Sequence, residues 1–163
     1  MRMLRSVSGM LLGALVAVAG CTVGPGPGSP SAEAAAASTA PLPTGGFGAM
    51  LNAQRAAGGL PLATADARLT AVAQAHADDM VAQNYFSHTS PDGRSSADRV
   101  RAAGYSTCRP SEDIAFGQRS EAEVFQNWVA SPPHLANIMM RGPVQYGFGQ
   151  AGTKWVLLVA GVC

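Results

Sequence analysis

The stretch VQYGFGQ-AGT-KWVLLVAGV, from Val144 to Val162, decides the fold class. It consists of two runs, Val144 to Gln150 and Lys154 to Val162, split by Ala151-Gly152-Thr153. Two runs of this length around a short, glycine-containing break are a hairpin signature, and the second is apolar enough to be a central strand. Working back from it, helical patterns dominate. Leu69, Val72, Ala73, His76 and Met80 recur at helical spacing within Thr64–Gln83, opposite Arg68, Gln74, Asp78 and Asp79. Phe47–Ala57 reads as an earlier helix stopped by Gly58-Gly59, and Ser96–Ala103 as a shorter one ended by Gly104. Between them, YFSHTSPDGR (Tyr85–Arg94) is a loop, with Pro91-Asp92-Gly93 as turn chemistry.

Nearer the hairpin, SEDIAFG (Ser111–Gly117) is short and mixed, a strand or loop rather than a helix. Ser120 followed by Glu123 fits a capping box, opening a helix that carries Val124, Phe125 and Trp128. Ser131 is suited to cap the next turn, with Pro132 and Pro133 following. Helices come first and strands last, so the expected class is α+β, helices packed around a small antiparallel sheet in one domain.

Composition bounds what this domain does. Of 163 residues, 47% are apolar and 13% charged, with a formal net charge of +1. That is too apolar for a disordered chain. With no basic run and no aromatic-interleaved basic patch, nucleic acid is excluded as a partner.

The N-terminal region is of another kind. Arg2 and Arg5 precede an apolar stretch from Val7 to Ala19, too short for a good spanning helix, that ends at Gly20-Cys21. Val18-Ala19-Gly20-Cys21 resembles the lipobox of bacterial lipoproteins, which implies a signal peptide over residues 1–20 and lipidation of Cys21. An ordinary cleaved signal or an uncleaved anchor is the alternative. Acyl chains on one residue would hold the protein at a membrane, at about 0.8 kcal/mol per buried methylene. Residues 21–46 are then a Pro/Gly/Ala-rich linker and residues 47–163 the folded domain. The expected location is the outer face of a bacterial membrane, or outside the cell, as a monomer. Assigning Cys21 to lipid leaves Cys108 and Cys163, which outside the cytoplasm suggests a disulfide. Such a link would add up to about 4 kcal/mol. Two free thiols or an intermolecular link remain open.

Candidate chemistry is sparse. HExxH, GxSxG, paired CxxC and the phosphate-binding loop pattern are all absent from the sequence. His76 lies in the apolar stripe of its helix, where a core histidine bonded to a backbone carbonyl is expected. His88 and His134 sit at irregular edges of elements, with Glu112 between them in sequence. Two imidazoles and a carboxylate suit Zn²⁺ or a similar ion with one position open, or a general acid-base set. The same trio would also serve as a hydrogen-bonded cluster holding loops together.

Seven stretches in order resemble the bacterial form of the CAP superfamily (cysteine-rich secretory proteins, antigen 5 and pathogenesis-related 1). They are LNAQRAAGGLPL (Leu51–Leu62), AHADDMVAQNYFSHTSPDGRS (Ala75–Ser95), AAGY (Ala102–Tyr105), SEDIAFG, VFQNWVASPPHLANIM (Val124–Met139), YGFG (Tyr146–Gly149) and KWVLLVAG (Lys154–Gly161). The resemblance implies an α-β-α sandwich with two histidines and two acids around a cleft, sometimes with a divalent metal. Carried over, the histidines fall on His88 and His134 and the first acid on Glu112, where SED stands in place of GEN. The second acid falls on Ser131, a degenerate fourth position. Glu121 and Glu123 are substitutes in name only, since they fit the first turn of a helix. A metal is therefore expected to be weakly bound, and Asp113 in place of Asn adds negative charge beside Glu112.

Two functions follow. The resemblance implies a non-enzymatic extracytoplasmic module binding a lipid, a sterol-like molecule or a protein. The alternative is a metal-dependent, peptidase-like hydrolase using His88, Glu112 and His134.

Overall fold

A computed structural model describes residues 45–162. Five helices and four strands follow in the order α1 (Gly46–Ala57), β1 (Thr64–Ala65), α2 (Ala67–Ala82), α3 (Ser96–Ala102), β2 (Arg109–Phe116), α4 (Glu121–Val129), α5 (Pro132–Ile138), β3 (Val144–Ala151) and β4 (Lys154–Gly161). The sheet order is β1-β3-β4-β2. As the sequence suggests, β4 is interior, and all eight of its residues are buried. The α+β expectation holds with one difference: β1 pairs with β3 in parallel, so the sheet is mixed.

Alternation along β4 builds two cores. Trp155, Leu157 and Val159 face α1, α4 and α5 with Phe47, Leu51, Val124, Phe125 and Trp128. Val156, Leu158 and Ala160 face α2 and α3 with Leu69, Ala73, Ala77, Met80 and Val100. Since successive side chains of a strand point to opposite faces, one strand supplies both. The result is an α-β-α sandwich. In the first layer Phe47 stacks on Phe148, centroids 3.9 Å apart, and meets Phe125 and Trp128 edge-on at 5.8 Å.

The long helix starts at Ala67, later than the expected Thr64. Asp66 caps it, its Oδ1 accepting from the Arg68 and Leu69 amides at 2.8 and 3.2 Å. Thr64 and Ala65 pair with Gln145 and Tyr146 instead. The Asn52 side chain prepares that pairing by exchanging two hydrogen bonds with the Ala63 backbone, at 3.0 and 2.7 Å. Ser120 caps α4 by accepting from the Glu123 amide at 3.2 Å. The reciprocal arm of the expected box is displaced, because Glu123 Oε2 accepts from the Arg119 amide at 2.8 Å. A complete box occurs instead at Ser95 and Asp98, opening α3.

Arg55 is buried and has no carboxylate partner among the described residues. Its guanidinium donates to the Pro61, Ile138, Met140 and Gly142 carbonyls at 2.8–3.2 Å, closing the C-terminal end of α5, and burial lowers its pKa. Cys108 is a half-cystine just ahead of β2. Its expected partner Cys163, the signal peptide, Cys21 and the linker up to residue 44 lie outside the described residues. No helix among the described residues is long and apolar enough to cross a membrane.

The packing of α2 on the sheet is set by YGFG. A Cβ on Gly147 would lie 2.1–2.3 Å from the backbone of Leu69 and Thr70, and one on Gly149 2.4–2.5 Å from that of Ala73 and Gln74. Helix backbone rests directly on strand backbone there, and backbone cannot step aside as a flexible side chain can. Gly147→Ala and Gly149→Ala are each expected to lower stability by about 1–3 kcal/mol through overpacking. Urea denaturation measures this as a lower midpoint at unchanged slope; wild-type midpoints would contradict the direct contact.

Candidate functional site

β2 lies at one edge of the sheet, and its residues Glu112 and Asp113 point to opposite faces. Glu112 faces the α2–α3 side and is buried. Its Oε2 accepts from Arg99 Nη2 on α3 at 2.6 Å. Its Oε1 accepts from Nδ1 of His88, in the loop after α2, at 2.9 Å. His76 Nε2 lies 3.9 Å from the same oxygen. Burial, the largest influence, lowers the pKa of His76, with the Glu112 charge opposing. Neutral at pH 7, its ring donates from Nε2 to the Ser87 carbonyl at 3.0 Å. His76 is thus the core histidine its helical position suggests.

Arg99 is the residue that sequence reasoning missed. Besides Glu112, its Nη1 donates to the His88 carbonyl, Ser90 Oγ and the Arg94 carbonyl at 3.1–3.2 Å. One guanidinium thereby binds both ends of the 88–94 loop and the carboxylate that orients His88. In SADRVRA it reads as one more charge on a short helix. The available signal is its place beside Val100, on the side that packs inward.

His88 and Glu112 therefore meet directly. His134, on α5, makes no bond to Glu112. Its Nδ1 bonds Ser131 Oγ at 2.8 Å. Burial, and next the nearby His88, hold its pKa below the ordinary histidine value. Ser131 does stand at the N-cap of α5, but its hydroxyl makes no capping bond. It serves His134 instead. Glu121 and Glu123 stay in the first turn of α4 and supply no substitute acid.

With both Nδ1 atoms engaged, each histidine is left with Nε2. The carboxylate–histidine arrangement of Glu112 and His88 is the one that orients a metal-binding imidazole from outside the coordination sphere. Glu112 itself is already matched by Arg99, so the donor set is two imidazoles. That is one short of the three protein ligands of a catalytic zinc site, and no group of three metal-binding side chains occurs among the described residues. A resident three-ligand centre does not fit here.

Asp113 points into the other core. Asn137 Nδ2 donates to its Oδ1 at 2.7 Å, while Oδ2 is buried with no partner. Burial raises its pKa to about 7; the Asn137 bond opposes the rise and the Glu112 charge adds to it. The added negative charge expected beside Glu112 is thus lodged on the opposite face, where burial favours the protonated carboxyl.

Residues 49–156 match the model of the cysteine-rich secretory protein family, CAP. The chain belongs to that family. It is 34% identical over 108 residues to the uncharacterized protein YkwD of Bacillus subtilis (strain 168), covering 65% of this chain and 42% of that one. Among solved structures, an extracellular protein containing an SCP domain from Bacillus anthracis str. Ames matches with a TM-score of 0.69 and 26% identity, over 71% of this chain and 39% of that one. An outer surface protein from Borrelia burgdorferi shares the fold, with a TM-score of 0.61 and 19% identity over 69% of this chain and 87% of that one. The chain thus spans less than half the length of the two Bacillus relatives.

The Asp113 arrangement sets a pH dependence. The folded pKa, about 7, exceeds the unfolded value of about 3.9, so the native state binds the extra proton between them. Asp113 therefore costs no stability below pH 4 and progressively more up to about pH 7, by at most about 4 kcal/mol. Asp113→Asn keeps the acceptor for Asn137 and removes the charge. Urea midpoints should match wild type near pH 4 and exceed it at pH 8; equal midpoints at pH 8 would contradict the burial of this carboxyl.

Proposed function

We propose that this chain is an exported CAP module that acts by binding a ligand at the His88–His134 face, held at the outer side of a bacterial membrane through Cys21. The observation that carries the reading is the commitment of Glu112. Both oxygens of the acid are occupied by Arg99 and His88, so it orients an imidazole and is not free to shuttle protons. A general acid or base must be able to give or take the proton in the reaction. His88 remains exposed at 57%, offering its ring to a ligand. The ligand class is the one the family resemblance implies, a lipid or sterol-like molecule or a protein. A divalent ion such as Zn²⁺ is held weakly by the two imidazoles and completed by water.

Export and anchoring are supported by the lipobox-like VAGC and by relatives described as extracellular or outer-surface proteins. A Cys108–Cys163 disulfide belongs to the same reading. It is supported by the sheet register, in which Arg109 lies opposite Gly161 and brings the neighbouring chain segments together. Intact-mass analysis should show alkylation of Cys108 only after reduction.

Two experiments test the binding reading. Calorimetric titration of the full chain with zinc at about pH 7.5, above the ordinary histidine pKa of about 6.5, should give weak one-to-one binding lost in both His88→Ala and His134→Ala. Incubation with a peptide and ester library should give no turnover. Cleavage that disappears in His88→Ala would overturn this reading in favour of a hydrolase.

A further inference from the structure

Among the described residues, three exposed large apolar side chains lie at one end of the domain. Val81, Phe86 and Phe116 are 45%, 48% and 60% exposed, whereas Leu62 and Val162 lie at the far end of the sheet. The rings of Phe86 and Phe116 are 6.1 Å apart and flank a cleft of about 220 Å³ that Asn84, Tyr85 and Lys154 complete. Lys154 Nζ fastens the end of α2 to the start of β4 by donating to the Met80 carbonyl and, at 2.8 Å, to that of Tyr85. Gly117 donates to the Thr153 carbonyl at 2.9 Å, joining the end of β2 to the β3–β4 turn. A Cβ on Gly152 would lie 3.7 Å from Val81 Cγ2. These contacts tie together, at one end of the sheet, the elements that carry the three side chains. Exposed apolar surface of this kind marks an interaction site.

The chain enters at the same end. A Cβ on Gly46 would lie 3.7 Å from Glu121 Oε2, at the start of α4. Gln118, two residues beyond Phe116, accepts from Trp155 Nε1 at 3.1 Å through its carbonyl. A flexible tether as long as the 24 residue steps between Cys21 and Gly45 has an average reach of roughly 25–30 Å, comparable to the length of an eight-residue strand. On average, the end of the domain that carries the attachment point is therefore the one nearer the bilayer.

We infer that the Phe86–Phe116 end is a membrane-contact face, seated on the outer leaflet to which Cys21 anchors the chain. The inference rests on the anchoring proposed above. Phenylalanine and aliphatic side chains on one face bury shallowly at the boundary between headgroups and acyl chains, and the gain scales with the apolar area covered. The contact is apolar and not electrostatic: Lys154 directs its charge to carbonyls, and Arg119 is followed by Glu121 and Glu123. Zwitterionic lipid is therefore sufficient.

The test uses the full lipidated chain reconstituted in phosphatidylcholine vesicles, with and without bromine on the acyl chains. Phe116→Trp is compared with Leu62→Trp, over a background from Trp128 and Trp155, which are buried at 1% and 5% exposure. Brominated lipid should quench the emission added by Phe116→Trp and leave that added by Leu62→Trp unchanged. Flotation, and its loss in Cys21→Ser, reports the anchor separately. Protein that floats with the Phe116→Trp emission unquenched overturns the inference, leaves the anchor standing and points to a protein partner for this face. Equal quenching at both positions overturns it as well. Wild-type chain that fails to float overturns anchor and face together, whereas quenching that persists in floating Cys21→Ser overturns the anchor and supports the face.

Discussion

The site depends on the ion pair between Arg99 and Glu112. Removing two charges from water is costly, and the attraction between them offsets that cost only when their remaining hydrogen-bonding capacity is also satisfied. Here it largely is. Glu112 accepts from Arg99 and His88, and Arg99 distributes further donors over the His88 and Arg94 carbonyls and Ser90. Only its Nε is buried without a partner. The pair joins α3, β2 and the loop after α2 beside the apolar cluster to which Val100 and Ile114 contribute. Its product is a positioned imidazole.

The sandwich supplies the frame for that pair. Gly147 and Gly149 let α2 settle on β3, which fixes where α2 ends and where the 84–94 loop begins. Lys154 then secures the end of the helix. On the opposite layer, Trp128 donates from Nε1 to the Ile114 carbonyl at 3.4 Å, and Arg55 closes α5, which carries His134. The two histidines thus come from opposite layers of the sandwich, and the β2 edge lies between them.

The sequence made the frame legible because its signals are local. Apolar spacing exposed α2, small residues at 151–153 exposed the hairpin, and the hydroxyls at 120 and 131 exposed helix starts. The two-residue β1 was hidden because its parallel partner is some eighty residues away and its strand is too short for alternation. His88, Glu112 and His134 were legible through flanking motifs, yet their roles were not. That Glu112 is occupied by an arginine from α3 is a tertiary fact, and charge on a short helix ordinarily faces water. Period-two alternation would have separated Asp113 from Glu112, but the neutralising burial of Asp113 depends on α5, which pattern alone does not place.

A double-mutant cycle on Arg99 and Glu112, followed by urea denaturation, tests the central interaction most directly. Arg99→Met and Glu112→Gln each leave a buried group without its partner, and each should cost about 3–5 kcal/mol. The double variant should cost less than the sum of the two, with a coupling on the order of 1–3 kcal/mol. Additivity to within about 0.5 kcal/mol would contradict the account, because Arg99 and Glu112 would then act independently and not as a coupled pair.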